Sequence, residues 1–433
     1  MLNILIQILW ITASIMIFAC GIYFSFKLKF IHLNFKAMFK AISEKSDKKD
    51  SISSFQSLTM ALAGRIGVGS LAGIALAVYL GGPGVLFWIW LTSFLCATNA
   101  FAESVLAVVF RKKDSGNIYR GGPFYYISDG IGNRNLAIIY AVIVLIAYIG
   151  GFLTMQVNTV SKCVNDLVGL NPLIIGIIAA ILTGITIFGG VKKIATTTSK
   201  LIPVITIFYV SICLYIIMTN INMLPHIISN IFDAAFNFKS FGIGIISTLL
   251  IGMQKGIFSS EVGLGTGSIA AVVADTESPS SNGLVQTFGI HIENLLIATI
   301  TVFVICMSDY SNLVLIDPNG VELTIHAFKY HIGNIGPLFV VITIGLFALS
   351  TILTGYYYGE SSLKFITNTN RLHIFILKMI TLIVIVIGSV ISSNLLWTIV
   401  DILVGIIAII NIYALFSLRK IVVSEYKDYK KSQ

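Results

Sequence analysis

The sequence predicts an all-α integral membrane protein of about eleven transmembrane helices, and two observations support this fold class. The chain has 433 residues, of which 56% are hydrophobic and 11% charged, with a mean hydropathy of +0.93, whereas soluble domains carry about 25% charged residues. Apolar runs long enough to cross a bilayer, which takes about 20 residues each, recur from end to end. They lie near residues 4–26, 53–79, 84–110, 136–164, 171–189, 196–218, 241–274, 282–307, 336–362, 373–391 and 395–417.

The distribution of Lys and Arg predicts which side of the membrane each loop faces, because cytoplasmic loops carry the excess of positive charge. The first run lacks the basic flank and cleavage site of a signal peptide, so we interpret it as a retained helix. With the N-terminus outside and the C-terminus in the cytoplasm, most of the 28 Lys and Arg residues are cytoplasmic, and the external segments hold Lys162, Lys239 and Lys329. We therefore expect a multi-pass protein of the cell membrane, embedded in the lipid bilayer in this orientation.

Composition also disfavours several classes of function. The net charge of +9 does not indicate nucleic-acid binding, because the basic residues lie in short loops between apolar runs. The cysteines at positions 20, 96, 163, 213 and 306 are scattered singly, without the spacing of a metal or redox pair. No nucleophile–base or metal-ligand spacing occurs near a membrane face, which disfavours an enzyme and a resident cofactor.

A single transmembrane domain is predicted over residues 1–433, and two glycine-interrupted runs divide it into two groups of five helices. Residues 1–51 form an extra N-terminal helix and a cytoplasmic segment, 52–220 the first five-helix repeat, 240–418 the second, and 419–433 a cytoplasmic tail. The two interrupted runs cross the membrane in opposite directions, as an inverted repeat requires. An external segment near 308–335 is expected to hold a short helix around Glu322 to His331.

Each interrupted run places glycines, a hydroxyl group and a charge where a membrane helix is usually apolar throughout. Non-helical backbone at membrane depth must be buried in protein or line a wet cavity. Membrane glycines also serve tight helix packing, which explains any single glycine equally well. The clusters as wholes favour the binding site of a secondary transporter, in which half-helix N-termini suit an anion and half-helix C-termini a cation. They are Gly64-Arg65-Ile66-Gly67-Val68-Gly69-Ser70 and Gly256-Ile257-Phe258-Ser259-Ser260-Glu261-Val262-Gly263-Leu264-Gly265-Thr266-Gly267.

Charged residues deep inside spans are functional candidates, since each costs at least about 2.5 to 3.5 kcal/mol on insertion scales. Arg65 lies near mid-depth and needs an acidic partner, for which Glu261 and Glu293 are the options. A structural ion pair joining the broken helices and a gating or proton-transfer role are equally compatible with these three residues. Glu103 and Asp401 are expected near the ends of their spans in structural roles. The full set is Arg65, Glu103, Lys255, Glu261, Glu293 and Asp401.

Uncharged polar residues inside spans are ambiguous in the same way. Ser350 and Thr351 lie together in the ninth span, where such hydroxyls usually bond back to their own helix but also suit a hard cation such as sodium. Gln156 and Asn158 in the fourth span are costly unless partnered. Substrate contact and helix–helix contact are equally compatible with these two amides.

In these residues the chain resembles the alanine or glycine:cation symporter family, also called sodium:alanine symporters or amino acid carrier proteins. The resemblance extends from about Ser54 to Leu363. The residues that carry it are Ser54-Phe55-Gln56, Gly67 and Gly69, Ala72-Gly73, Gly81-Gly82-Pro83-Gly84, Phe87-Trp88-Ile89-Trp90, Phe101-Ala102-Glu103, Gly121-Gly122-Pro123, Tyr125-Tyr126, Gln156 and Asn158, Phe188-Gly189-Gly190, Gly256-Ile257-Phe258-Ser259, Glu261, Gly263, Gly265, Phe347-Ala348, Ser350-Thr351 and Tyr357-Tyr358-Gly359-Glu360.

The resemblance implies a leucine-transporter-like fold, in which five helices and five inverted helices enclose a central site for an amino acid and a coupling ion. Carried onto this chain, the implied substrate-binding residues are Gly67, Val68, Gly69, Ser70, Gln156, Phe258, Ser259, Ser260 and Gly263. The implied sodium ligands are the carbonyls of Ala63, Ile66 and Phe347 and the hydroxyls of Ser350 and Thr351.

The chain departs from the family pattern inside both breaks. Gly67-Val68-Gly69-Ser70 stands where Gly-Thr-Gly-Asn is usual, and Ser259-Ser260-Glu261-Val262-Gly263 stands where Ser-Asn-Glu-Ala-Gly is usual. In the eighth span, Glu293-Asn294 replaces the usual Asp-Thr. Ser70 and Ser260 thus carry short hydroxyl side chains where the family usually has the amide of asparagine, and this difference bears on the identity of the substrate.

These features lead to one principal hypothesis and one alternative. The first is a symporter that couples inward sodium movement to uptake of a small neutral amino acid, of the alanine or glycine class, by alternating access. The alternative is a proton-coupled amino-acid transporter or exchanger that uses Arg65, Glu261 and Glu293. A channel is disfavoured because the sequence contains no repeated pore filter.

Overall fold

The computed structural model describes residues 2–44, 51–114, 116, 118–236, 244–276, 278–309, 320–368, 370–391 and 394–432. Lys45, Lys48, Lys49 and Lys239, which enter the prediction of orientation, lie outside these ranges. The helices of the first half are α1 (Leu2–Lys27), α2 (Phe35–Ser43), α3 (Ser54–Arg65), α4 (Ile74–Gly81), α5 (Val85–Val109), α6 (Pro123–Tyr125), α7 (Arg134–Leu145), α8 (Leu153–Val168), α9 (Pro172–Ile187), α10 (Gly190–Thr219) and α11 (Leu224–Ala235).

The second half is equally helical. Its helices are α12 (Gly244–Ser260), α13 (Thr266–Ala271), α14 (Pro279–His291), α15 (Ala298–Cys306), α16 (Gly320–Ile332), α17 (Ile335–Thr367), α18 (Arg371–Gly388), α19 (Asn394–Ser417) and α20 (Arg419–Ser432). Wider π-helical segments, Ile146–Phe152 and Ile292–Ile297, join α7 to α8 and α14 to α15. The short helix predicted near Glu322 is confirmed as α16.

Hydropathy and length identify the helices that can cross a membrane. Eight helices of the described residues are long and apolar enough, or nine when α3 and the bent continuation Gly69–Gly81 count as one span. The predicted run 171–189 corresponds to α9, an apolar helix of 16 residues. The predicted run 241–274 corresponds to the two pieces α12 and α13. A multi-pass membrane protein is confirmed, while the count of eleven spans stays a prediction.

The first predicted break is a sharp bend between two half-helices. A reciprocal capping box between Ser53 and Gln56 begins α3, and such a box satisfies N–H groups that have no partner within the helix. The helix ends at Arg65, and Ile66 leaves the helical region with φ −80° and ψ 89°. The chain resumes through a π-helical segment, Gly69–Gly73, at an angle of 53° to α3.

The second break is a turn rather than a bend. Between α12 and α13, left-handed backbone occurs at Glu261 (φ 56°), Gly263 (φ 83°) and Gly265 (φ 82°). Glycine adopts this region without penalty, but a residue with a Cβ is strained there and needs surrounding contacts to hold it. Glu261 is therefore the strained position of this turn.

Helices of the two predicted repeats pack against their counterparts. The described contacts include α5 with α14, α8 with α17 and α9 with α18. The half-helices α3 and α13 are also in contact, so the two breaks lie close together in the protein interior. The N-terminal helix α1 packs outside this group, against α5 and α19. The inverted repeat itself stays a prediction.

A short hairpin follows α5 on the face predicted to be cytoplasmic. Its strands are β1 (Lys112–Lys113) and β2 (Tyr119–Arg120), paired antiparallel. The buried Arg120 guanidinium donates from Nε to Asp114 Oδ2 at 3.1 Å and from an NH2 group to Glu360 Oε1 at 3.0 Å. Glu360 also accepts Lys364 Nζ at 2.9 Å. These ion pairs join the hairpin to the end of α17.

Candidate functional site between the two broken helices

Gln156 on α8 satisfies the backbone of the first break. The N–H group of Val68 donates to Gln156 Oε1 at 2.9 Å, and the Gln156 side chain is buried. A Cβ added to Gly67 would lie 3.0 Å from the same oxygen. A buried N–H group requires a partner, and Gln156 supplies it at the point where the helix is interrupted. Gln156 therefore joins α8 to the broken span, and its contact with a substrate stays a prediction.

The five residues implied as sodium ligands come together at the C-terminal end of α3. Thr351 Oγ1 lies 2.8 Å from the carbonyl oxygen of Ala63, 3.0 Å from that of Phe347 and 3.4 Å from that of Ile66. Ser350 Oγ donates to the Phe347 carbonyl at 2.7 Å. We refer to Ala63, Ile66, Phe347, Ser350 and Thr351 as the oxygen cluster. All five are buried.

The chemistry of the oxygen cluster suits a cation. A hydroxyl group has one hydrogen, so Thr351 cannot fully satisfy three carbonyl groups at once. The carbonyls of Ala63 and Ile66 belong to the last turn of α3 and the cap that follows it, where the helix dipole is negative. Hard cations bind oxygen ligands of this kind. Gly67 approaches so closely that an added Cβ would lie 2.5 Å from Thr351 Oγ1.

Phe258 on α12 lies opposite the first break. A Cβ added to Gly69 would lie 3.7 Å from Phe258 Cε1. The ring of Phe258 stacks on that of Phe152, with centroids 5.4 Å apart and an interplanar angle of 20°. This arrangement places an aromatic wall beside Gly69.

The hydroxyl groups of the predicted substrate site are engaged inside the protein. Ser70 Oγ donates to the Arg65 carbonyl at 3.1 Å, and Ser260 Oγ donates to the Gly256 carbonyl at 2.6 Å. Ser259 Oγ lies 3.3 Å from Asn294 Oδ1. Ser259 therefore contacts the eighth span, whereas Ser70 and Ser260 bond within their own broken spans.

Gly263 lies away from the first break. A Cβ added there would lie 2.8 Å from Ile17 of α1, and its carbonyl accepts Asn411 Nδ2 at 3.0 Å. Asn411 on α19 also donates to Glu103 Oε1 at 2.9 Å and accepts Tyr126 Oη at 2.5 Å. The geometry thus gives Gly263 a packing role, and its predicted substrate contact has no support here.

Arg65 has no direct acidic partner, contrary to the sequence-based expectation. Within the described residues, no ion pair shorter than 4.0 Å joins Arg65 to Glu261 or Glu293. Its NH1 group donates to the Gln286 carbonyl at 3.4 Å. Cβ atoms added to Gly267 or Gly289 would collide with the guanidinium. Arg65 is held between α13 and α14 and is attracted to the carboxylates at longer range.

The two carboxylates differ in their surroundings. Glu261 accepts hydrogen bonds from Tyr148 Oη and, at 3.2 Å, from Tyr358 Oη, which fixes the strained turn to the fourth and ninth spans. Both oxygens of Glu293 are buried without a hydrogen-bond partner in the described part of the chain. Glu261 is therefore hydrogen-bonded to two tyrosines, while Glu293 interacts with the Ser70 hydroxyl and with Arg65 without a well-aligned hydrogen bond.

Other buried polar residues join helices, which is one of the two roles left open for Asn158. Asn158 donates to the Gly388 carbonyl at 3.0 Å, so it joins α8 to α18. Glu103 is fully buried and accepts a hydrogen bond from Asn411. Tyr148 and Asn411 were not predicted, although an amide inside the apolar run 395–417 is costly enough to have indicated Asn411.

A cavity of about 770 Å³ lies on the face predicted to be external. Its walls come from α4, α8, α12, α16 and α19. Lys255, Trp397 and Asp401 lie among its lining residues. Lys162 and Glu322 also line it, and Lys162 Nζ lies 3.7 Å from Glu322 Oε1.

Two interrupted helices buried in the protein interior, a cluster of backbone and hydroxyl oxygens, and a large cavity define a multi-pass membrane transporter. The sequence profile of the sodium:alanine symporter family matches residues 1–433. The chain belongs to this family.

Individual relatives agree with the family assignment. A probable sodium/glutamine symporter of Bacillus subtilis is 35% identical over 97% of this chain and 88% of that protein. The sodium/alanine symporter of Methanococcus maripaludis is 34% identical over 96% of this chain and 93% of that protein. An amino-acid carrier protein of Bacillus subtilis is 33% identical over 100% of this chain and 92% of that protein.

The solved structures add a likeness of fold. A crystal structure of the manganese transporter of Eremococcus coleocola, in a mutant form, has a TM-score of 0.58 at 13% identity and covers 88% of this chain and 81% of that chain. At this level of identity the likeness extends to the fold alone.

Proposed function

We propose that this protein couples inward movement of sodium to uptake of a small neutral amino acid by alternating access, with its N-terminus outside and its C-terminus in the cytoplasm. The observation that carries the proposal is the convergence of the oxygen cluster and Gln156 on the first break. Membership of the sodium:alanine symporter family supports sodium as the coupling ion.

The surroundings of the break favour a small substrate. Gly69 lies beside Phe258, and the walls there are the aromatic rings of Phe258 and Phe152. The amino acid's charged groups would bind freed backbone groups of the two breaks, with Gln156 as a further contact. An aromatic wall accommodates a methyl or hydrogen side chain without an ion pair, which supports alanine or glycine as the substrate class.

The position of the cavity supports alternating access. It lies on the face predicted to be external, and two of its lining residues, Lys255 and Trp397, contact the Phe258 ring. On the opposite face, Arg111 donates to the carbonyls of Ala274 and Thr276 at 3.0 and 2.7 Å, which holds the chain after α13 against the hairpin region. We infer an outward-facing state, in which these contacts would have to open for release into the cytoplasm.

Uptake of labelled alanine and glycine into proteoliposomes, with and without a sodium gradient, tests the proposal. Thr351→Val removes the hydroxyl of the oxygen cluster and is expected to reduce gradient-driven uptake at least about tenfold, the equivalent of about 1.4 kcal/mol. The matched control is Thr354→Val, one turn along α17, whose hydroxyl bonds the Met60 carbonyl outside the cluster. Equal sodium dependence in Thr351→Val and wild type, or no gradient-driven uptake of any amino acid, would refute the proposal.

The buried Glu293 favours one second candidate, proton-coupled transport. A buried carboxylate without a well-aligned hydrogen bond is costly unless it is protonated or binds a cation. This alternative predicts that transport persists in sodium-free buffer under a proton gradient and fails in Glu293→Gln. Sodium-dependent transport that survives Glu293→Gln would exclude it.

A further inference from the structure

Two opposite charges lie at the base of the cavity without pairing to each other. Lys255 on α12 and Asp401 on α19 both line it. They attract each other, but they form no ion pair within 4.0 Å in the described ranges. The two side chains thus line one cavity without a direct ion pair.

Lys255 is positioned by aromatic rings rather than by hydrogen bonds. Its Nζ atom lies 5.4 Å from the centroid of the Phe258 ring and 5.5 Å from that of Trp397. Cation–π contacts of this kind stabilise the ammonium group. Among the described residues, no hydrogen-bond acceptor is assigned to Nζ, so its N–H groups are free to bind an anionic group.

Asp401 provides the complementary charge. Gln254 forms a side-chain hydrogen bond with its carboxylate, while the buried Oδ1 atom has no hydrogen-bond partner in the described part of the chain. A buried acceptor without a donor is costly, and a ligand ammonium group would remove that cost. The other charged residues of the cavity, such as Asp166 and Lys329, are exposed at its wall.

We propose that the base of the cavity is a second binding site for the zwitterionic head of an α-amino acid, in which Lys255 binds the carboxylate and Asp401 the ammonium group. Lys255 and Gly69 both lie against the ring of Phe258, so this vestibule site adjoins the site between the broken helices. The proposal rests on the proposed function for one point, that the transported ligand is an amino acid.

Ligand chemistry provides the first test. Binding to the purified full chain in lipid nanodiscs is measured in sodium-free buffer with alanine, propionate and ethylamine. All three have a small carbon skeleton, but alanine carries both charges, propionate only the negative charge and ethylamine only the positive charge. Alanine is expected to bind saturably and at least about tenfold more tightly than either single-charge probe, since each charged hydrogen bond contributes about 1.5–3 kcal/mol. Equal affinity for propionate or ethylamine, or no saturable alanine binding, overturns the proposal.

Substitutions provide the second test. Lys255→Met keeps the length of the side chain over the two rings, and Asp401→Asn keeps the shape of the carboxylate. Each is expected to raise the sodium-free Kd for alanine at least about tenfold, while Lys329→Met, an exposed lysine of the same cavity, leaves it unchanged. Unchanged affinity in both Lys255→Met and Asp401→Asn overturns the vestibule site.

The sodium-free condition separates this inference from the proposed function. Thr351 belongs to the oxygen cluster and not to the vestibule site, so Thr351→Val is expected to retain sodium-free alanine binding. If gradient-driven uptake is absent but alanine binding persists and falls in Lys255→Met, the proposed function fails and the vestibule site stands. If gradient-driven uptake is present but sodium-free alanine binding is unchanged in Lys255→Met and Asp401→Asn, the vestibule site is refuted and the proposed function stands.

Discussion

Gly67 is the residue at which the first break, the fourth span and the ninth span come closest together. A Cβ added to Gly67 would meet both Thr351 and Gln156. Each of these side chains is held by a hydrogen bond to the backbone of the broken span. Neither side chain can move away without losing those bonds. A glycine is therefore required here by close approach rather than by an unusual φ.

Gly67→Ala is predicted to reduce sodium-driven uptake at least about tenfold. The added methyl group would displace Thr351 Oγ1 or Gln156 Oε1, and one lost hydrogen bond of about 1.4 kcal/mol equals one decade. The measurement is initial uptake rate against sodium concentration. Gly73→Ala in the same span is the control, since nothing lies within 4 Å of its added Cβ. Normal sodium dependence in Gly67→Ala would show that the break has more room than the structure indicates.

At the scale of elements, the hairpin and α17 are joined by buried charges. Arg120 and Asp114 have 3% and 7% of their side chains exposed, whereas the nearby pair of Lys112 and Asp129 has 61% and 33% exposed. Removing one partner of a buried pair leaves the other charge uncompensated, while exposed pairs contribute little. The two ion pairs of this hairpin region, Arg120–Asp114 and Lys112–Asp129, thus differ more in solvent exposure than in distance.

Arg120→Gln is predicted to lower the free energy of unfolding by about 3–5 kcal/mol. Lys112→Gln, which breaks a shorter but exposed ion pair of 2.6 Å, is predicted to cost at most about 1 kcal/mol. Thermal unfolding of both variants in the same detergent measures the difference. Similar destabilisation in the two variants would contradict the importance of burial.

The same network predicts a dependence of stability on pH. Burial raises the pKa of Asp114, but the Arg120 guanidinium, the Ile118 N–H group and Lys364 outweigh it, so the pKa lies below its ordinary value of 3.8. A carboxylate whose pKa is lowered by folding stabilises the protein above its unfolded pKa, and this stabilisation is lost as the pH falls through the folded pKa.

The contribution of Asp114 is therefore expected to be constant from neutral pH down to the ordinary Asp range and to decrease only below it. Asp114→Asn should show a smaller loss of thermal stability below about pH 4 than wild type. Asp428→Asn, an exposed residue of the tail helix, serves as the matched comparison. An identical acid profile for Asp114→Asn and wild type would count against this assignment.

At the scale of the whole molecule, the predicted orientation places α16 and the cavity outside and α20 inside. Both helices carry exposed lysines at which a thiol can be introduced with little structural effect, Lys329 on α16 and Lys427 on α20. The two positions lie at opposite ends of the proposed transport path.

In a cysteine-free background, Lys329→Cys is predicted to react with a membrane-impermeant maleimide in intact cells. Lys427→Cys is predicted to react only after permeabilisation, because the C-terminal tail is expected in the cytoplasm. The ratio of labelling before and after permeabilisation is the measurement. The reverse pattern would invert the orientation and, with it, the direction assigned to the cavity.

The sequence by itself determined the class of the protein, the positions of the two breaks and the residues around the first one. Hydropathy and glycine placement are local properties, so the runs 53–79 and 241–274 could be identified as interrupted spans without tertiary information. Only the tertiary structure decided how charges and amides are partnered. Arg65 lies between glycines rather than against Glu261 or Glu293, Gly263 packs on Ile17, and Lys255 and Asp401 meet at one cavity. These residues are far apart in the chain, and which of them meet depends on how the helices pack.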